Sequence, residues 1–91
     1  MNTQSFEQKY LQLTPRLYSV AFSVLGNAED AEDAVQDTFA RLWEKRNELE
    51  RMENAEGYFM TTLRHISLNM LRNRHAATDI AEAHNAPTDI D

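Results

Sequence analysis

Apolar positions along this chain recur every three or four residues, the period of an α-helix that buries one side. Phe6, Tyr10, Leu11 and Leu13 give the first segment an apolar side, and Ser5 with Gln8 forms a capping-box pattern that would open it. Thr14-Pro15 reads as an N-cap followed by proline at the first helical position. The spacing therefore predicts two helices, or one helix kinked there. Leu17, Tyr18, Ala21, Val24 and Leu25 carry the next stripe, and Gly26 ends it as a residue that tolerates the left-handed conformation.

Asn27 is the next N-cap candidate, and the acids after it suit the positive end of a helix dipole. In that helix Ala31, Ala34, Val35, Thr38, Phe39 and Leu42 fall on one side, with Asp33, Gln36, Asp37, Ala40 and Glu44 opposite. Arg41, Lys45 and Arg46 gather at its C-terminal end, again matching the dipole. Of ELERMENAEG, residues 48–57, the second half reads as a loop, with Asn54 capping a helix from about Ala55. Phe59, Thr62, Leu63, Ile66 and Met70 form that helix's inner stripe; Arg64, His65, Leu68, Asn69 and Arg72 lie on its far side. The periodicity ends after His75. The pattern predicts one all-α domain over 1–75, a compact bundle of three or four helices, and a flexible acidic linker or tail over 76–91.

Composition supports this: two glycines, two prolines and few β-branched residues in a chain of 91 favour helix. Without cysteine there is neither a disulfide framework nor a thiolate metal site, which fits the cytoplasm. The N-terminus lacks the pattern of a signal peptide, and no apolar run approaches the ~20 residues of a membrane span, so no membrane partner is expected. His65, His75 and His84 do not have the spacing of a helical metal pair, and no cofactor is expected. Neither a phosphate-binding glycine loop nor a nucleophile–base pair stands out, so the sequence does not point to an enzyme. Trp43, Tyr18 and Tyr58 are expected to pack around the bundle.

Charge changes the picture more. The net charge of −6 argues against a binder of nucleic acid, whose phosphates are met by Lys and Arg. The distribution is blocked, however. Residues 1–58 hold six basic and eleven acidic side chains, whereas 59–75 hold Arg64, Arg72 and Arg74 and no acid. One helix-length basic segment sits within an acidic protein.

Three fragments in order, FEQKYLQLTPRLYSVAFSVLGN, DAEDAVQDTFARLWEKR and AEGYFMTTLRHISLNMLRNR, carry a resemblance that covers residues 6–74. The chain resembles the region 2 domain of bacterial RNA polymerase sigma factors, specifically the extracytoplasmic-function group. The long D-A-E-D-x-V-Q-x-x-F-x-R-x-W run is its most specific part. The resemblance implies an all-α bundle of the sigma region 2 type. It also implies docking on the β′ clamp helices of the polymerase core, with recognition and strand separation at the promoter −10 element and a base of the non-template strand held flipped out. It implies further a helix-turn-helix domain beyond this chain and an anti-sigma partner.

By that resemblance, Asp33, Gln36, Asp37, Ala40 and Arg41 are the expected polymerase-binding residues. Charge complementarity there would fix register and speed encounter more than add affinity. Arg64, His65, Asn69 and Arg72 are the expected DNA-binding residues, the arginines on phosphates, His65 and Asn69 within reach of base edges. His65 stands where the family often has Asn, and Asn69 where it often has Asp, so a different sequence preference is expected. Thr62 replaces a usual aliphatic residue. The loop Glu50–Gly57 matches the family's base-holding element, with Arg51, Met52 and Asn54 as candidates. Read without the resemblance, both faces are ordinary solvated surfaces. The alternative function is a stand-alone helical adaptor that binds a protein through the acidic face and never touches DNA.

Overall fold

The computed structural model describes residues 2–78, and among these every regular element is helical. Helix α1 (Thr3–Tyr10) passes through a 3₁₀ turn (Leu11–Leu13) into α2 (Thr14–Leu25). Helix α3 (Ala28–Glu44) is followed by the single turn α4 (Arg46–Leu49) and the long α5 (Ala55–Thr78). The all-α bundle expected from the periodicity is the fold observed.

The first two helix starts differ from the sequence reading. Asn2, not Ser5, caps α1: its Oδ1 accepts from the Ser5 N–H at 2.8 Å, so Ser5 lies inside the helix. Thr14 is no side-chain cap either. The backbone stays in the right-handed region through Leu13 and Thr14, and the chain bends by tightening into the 3₁₀ turn rather than by breaking. Leu11, expected on the apolar side of α1, is 50% exposed because that turn rotates it outward.

Further along, local signals are met. Gly26 takes φ +81°, and its N–H donates to Phe22 O at 2.8 Å, closing α2. Asn27 caps α3, its Oδ1 accepting from Asp30 N–H at 2.8 Å. Asn54 caps α5 through Gly57 N–H at 3.0 Å. A Cβ on Gly57 would sit 2.6 Å from the Asn54 side-chain nitrogen, so the cap and a side chain there compete for one space. Helix α5 runs to Thr78, three residues beyond the expected edge of the domain; the remainder of the expected tail lies outside the described residues.

Arg16 at the start of α2 pairs with Glu56 at the start of α5 (3.3 Å), and Arg74 near the end of α5 donates to Leu25 O at the end of α2. These two helices therefore run the same way, and α3 returns against them. Leu17, Ala21, Ala31, Ala34, Leu42, Phe59 and Leu63 are sealed between them. At one end Phe6 and Tyr10 pack with Phe39, Trp43 and Phe59, with Tyr10–Phe59 and Phe6–Trp43 centroids 4.8 and 5.3 Å apart. Such ring pairs add about 0.5–1.5 kcal/mol each beyond burial. The cluster locks α1 onto α3 and α5, and Trp43, Tyr18 and Tyr58 pack against the core as expected. Among the described residues two polar side chains are wholly buried: Thr38, whose hydroxyl donates to Ala34 O at 2.7 Å, and Ser67, whose Oγ has no hydrogen-bond partner among them.

Candidate functional site

Helix α3 is held by its small and apolar stripe against α2 and α5, and this fixes what it shows to solvent. Asp33, Gln36, Asp37, Ala40 and Arg41 are all exposed. Asp37 and Arg41, one turn apart, form an exposed ion pair at 3.6 Å, of a kind worth about 0.3–0.5 kcal/mol. Beside Ala40 an apolar cleft of about 310 Å³ opens between α1 and α3, lined by Phe6, Leu11, Phe39, Ala40 and Trp43 among others. The acidic stripe thus borders an apolar footing, the arrangement of a docking surface whose centre is apolar and whose rim is charged. The sequence marks Phe6 and Leu11 as apolar but not as the wall of a groove, because the groove exists only once the aromatic cluster has joined the helices.

Helix α5 exposes Arg64, His65, Asn69 and Arg72; of its expected inner stripe Phe59, Leu63 and Ile66 are buried and Thr62 and Met70 half-buried, and Ser67, which the sequence reading left out, is buried with them. His65, Asn69 and Arg72 line a cleft of about 360 Å³, and the fourth wall is Arg41 from α3. Arg64 is exposed but lies outside that wall. The third arginine of the basic segment has another use: Arg74 Nη2 sits 3.0 Å from both Leu25 O and Asp30 Oδ2, tying α5 to the α2–α3 corner.

The loop before α5 forms a third feature. A pocket of about 400 Å³ is walled by Lys9, Tyr10 and Gln12 from the first segment and by Glu50, Met52, Glu53, Asn54 and Glu56 around the loop. Met52 and Asn54, two of the candidates for holding a base, line it, and the Asn54 carbonyl is engaged in the cap. Arg51 is exposed and lines no part of it. Burial, and then the nearby Glu50 carboxylate, push the Tyr10 phenol above its ordinary value. The surplus of glutamates makes the pocket hospitable to a neutral or amino-bearing group and hostile to a phosphate.

Among the described residues no three His, Cys, Asp or Glu side chains are grouped to hold a metal ion, and no helix is long and apolar enough to cross a membrane. A family model, Sigma-70 region 2, matches residues 10–77, from the end of α1 to the end of α5. No curated protein and no solved structure matches the chain. The match takes in the exposed acidic stripe, the loop pocket and the basic helix together, and on it the chain belongs to the sigma-70 region 2 family, the part of RNA polymerase sigma factors that binds polymerase and recognises promoters.

Proposed function

We propose that this chain is the region 2 domain of an extracytoplasmic-function sigma factor, working in the cytoplasm, that docks on the β′ clamp helices of RNA polymerase and engages the promoter −10 element. The observation that carries the proposal is the separation of charge over a rigid frame. Helix α3 exposes Asp33, Gln36 and Asp37 beside an apolar groove, whereas α5 exposes Arg64, His65, Asn69 and Arg72. A basic helix of the polymerase would lie along α3, its charged groups over Asp33 and Asp37 and its apolar ridge in the groove by Ala40. Gln36, uncharged between two acids, donates and accepts hydrogen bonds there without adding repulsion.

The opened non-template strand would run along α5, with Arg64 and Arg72 on phosphates and His65 and Asn69 beside base edges. A flipped base would enter the pocket under the loop, where Tyr10 and Met52 offer apolar wall and Asn54 and the glutamates offer hydrogen bonds. Arg51, outside that pocket, would meet the backbone nearby. An anti-sigma protein would compete for one or both faces.

A chain of net charge −6 repels duplex DNA at long range, so promoter binding should appear only when polymerase presents the strand. The test is retention of a random pool of single-stranded oligonucleotides by core polymerase, with and without this chain. Sequence-selective retention that needs both components supports the reading. Tight, salt-sensitive binding of the isolated chain to random duplex contradicts it.

A further inference from the structure

We propose that Arg41 belongs to the nucleic-acid face: together with His65, Asn69 and Arg72 it forms a seat for one backbone phosphate of the bound strand. This rests on the promoter-strand reading above and changes three assignments within it: Arg41, which the sequence pattern places on the polymerase-docking stripe, joins the strand, and His65 and Asn69 turn from base edges to a phosphate.

Four observations meet at this point. The cleft is walled by two guanidinium groups, an imidazole and a carboxamide, with no carboxylate among its lining residues, in a protein where acids outnumber bases. Its walls come from two helices, α3 and α5, whose mutual placement is fixed by the buried stripes beneath them, so the four side chains converge on one space. At about 360 Å³ the space holds roughly ten water volumes, enough for a phosphodiester with parts of its two sugars. Finally, all four residues are exposed, so an incoming strand can reach them.

The chemistry suits a phosphate. Each guanidinium presents a planar fork of N–H donors that matches two phosphate oxygens, and an arginine from each side encloses the anion. The Asn69 carboxamide adds a donor on the α5 wall, and so does the His65 ring. Asp37 holds Arg41 only through a solvent-exposed pair at 3.6 Å. A phosphate held also by Arg72 would draw Arg41 away from it. Asp37 is then left open to a cation on the docking partner, so Arg41 forms the seam between the two faces.

The competing occupant is an acidic side chain of the polymerase. The test uses the wild-type chain, Arg41→Ala and Arg41→Lys, each bound to saturating core polymerase. Their affinities for the oligonucleotide selected by the wild-type complex are measured over a salt series. The oligonucleotide is then made with one neutral methylphosphonate at each position in turn. Arg41→Ala is expected to weaken DNA binding about tenfold and to reduce the slope of log affinity against log salt by about 0.7, one single-strand phosphate contact. Arg41→Lys should keep that slope while losing part of the affinity. One methylphosphonate position should cost the wild type dearly and Arg41→Ala little. The proposal is overturned if Arg41→Ala at saturating polymerase binds DNA as the wild type does, or if every methylphosphonate affects both proteins alike. A wild-type complex that selects no oligonucleotide overturns the promoter-strand reading itself, a result distinguishable from a loss confined to the variant.

Discussion

Of the arginines on α5, Arg72 on the open cleft and Arg74 at the α2–α3 corner provide a test of how the structure divides its positive charge. Replacing Arg74 by Ala removes a charged hydrogen bond to Leu25 O, the last carbonyl of α2, and an ion pair with Asp30, both at 3.0 Å. The side chains are 40% and 34% exposed, so water recovers part of the loss. A hydrogen bond from a charged donor contributes about 1.5 kcal/mol at the low end, and a half-exposed pair about 0.5 kcal/mol or less. The expected cost is about 1–2 kcal/mol. For a domain of this size each kcal/mol lowers the melting temperature by about 4–8 °C, which places the loss at roughly 5–15 °C. Arg72→Ala, at an exposed position on the cleft, should stay within about 0.5 kcal/mol of the wild type. Thermal unfolding followed by far-ultraviolet circular dichroism measures both. Polymerase-dependent DNA binding should show the reverse order, with Arg72→Ala impaired and Arg74→Ala close to wild type when assayed below its melting point. An unchanged melting temperature for Arg74→Ala, with a DNA-binding defect equal to that of Arg72→Ala, would refute the division.

Two further outcomes follow from the buried polar groups. Ser67→Ala deletes a hydroxyl that is buried without a hydrogen-bond partner among the described residues, and alanine is also the better helix former, so stability should rise by about 0.5–1.5 kcal/mol in urea unfolding; a fall would mean the hydroxyl is satisfied. The Tyr10 phenol is raised by burial first and by Glu50 second, so the fold favours its neutral form. That contribution is complete below the ordinary tyrosine value of about 10 and is lost as pH rises through the higher folded value. Tyr10→Phe should flatten the alkaline limb of the stability curve while leaving neutral stability nearly intact, and an identical alkaline limb in both proteins would contradict the assignment.

Much of the architecture was legible because its signals are local. Gly26 and Asn27 mark the α2–α3 corner by conformational preference and by capping, each acting within a few residues. The inner stripes of α3 and α5 follow from the helical period, which also turns Asp33, Asp37, Arg64 and Arg72 outward. Choices between equivalent local devices were less legible. Asn2 and Ser5 both suit an N-cap, and the 3₁₀ turn that turns Leu11 outward gives no composition signal. Least legible were partners distant in sequence. Arg74 finds Leu25 and Asp30 across 49 and 44 residues, Lys9, Tyr10 and Gln12 share a pocket with the loop before α5, and Arg41 meets Arg72 only because α3 and α5 pack as they do.

The central claim is that the acidic face of α3 and the basic face of α5 serve different partners. The most direct measurement is the affinity of the chain for a helical β′ clamp fragment of RNA polymerase, wild type against Asp33→Arg, over a salt series. Asp33 is exposed, so the substitution should leave the fold intact. Binding should weaken at least tenfold, about 1.4 kcal/mol, with a smaller salt dependence. Equal affinity for both proteins at every salt concentration would contradict it.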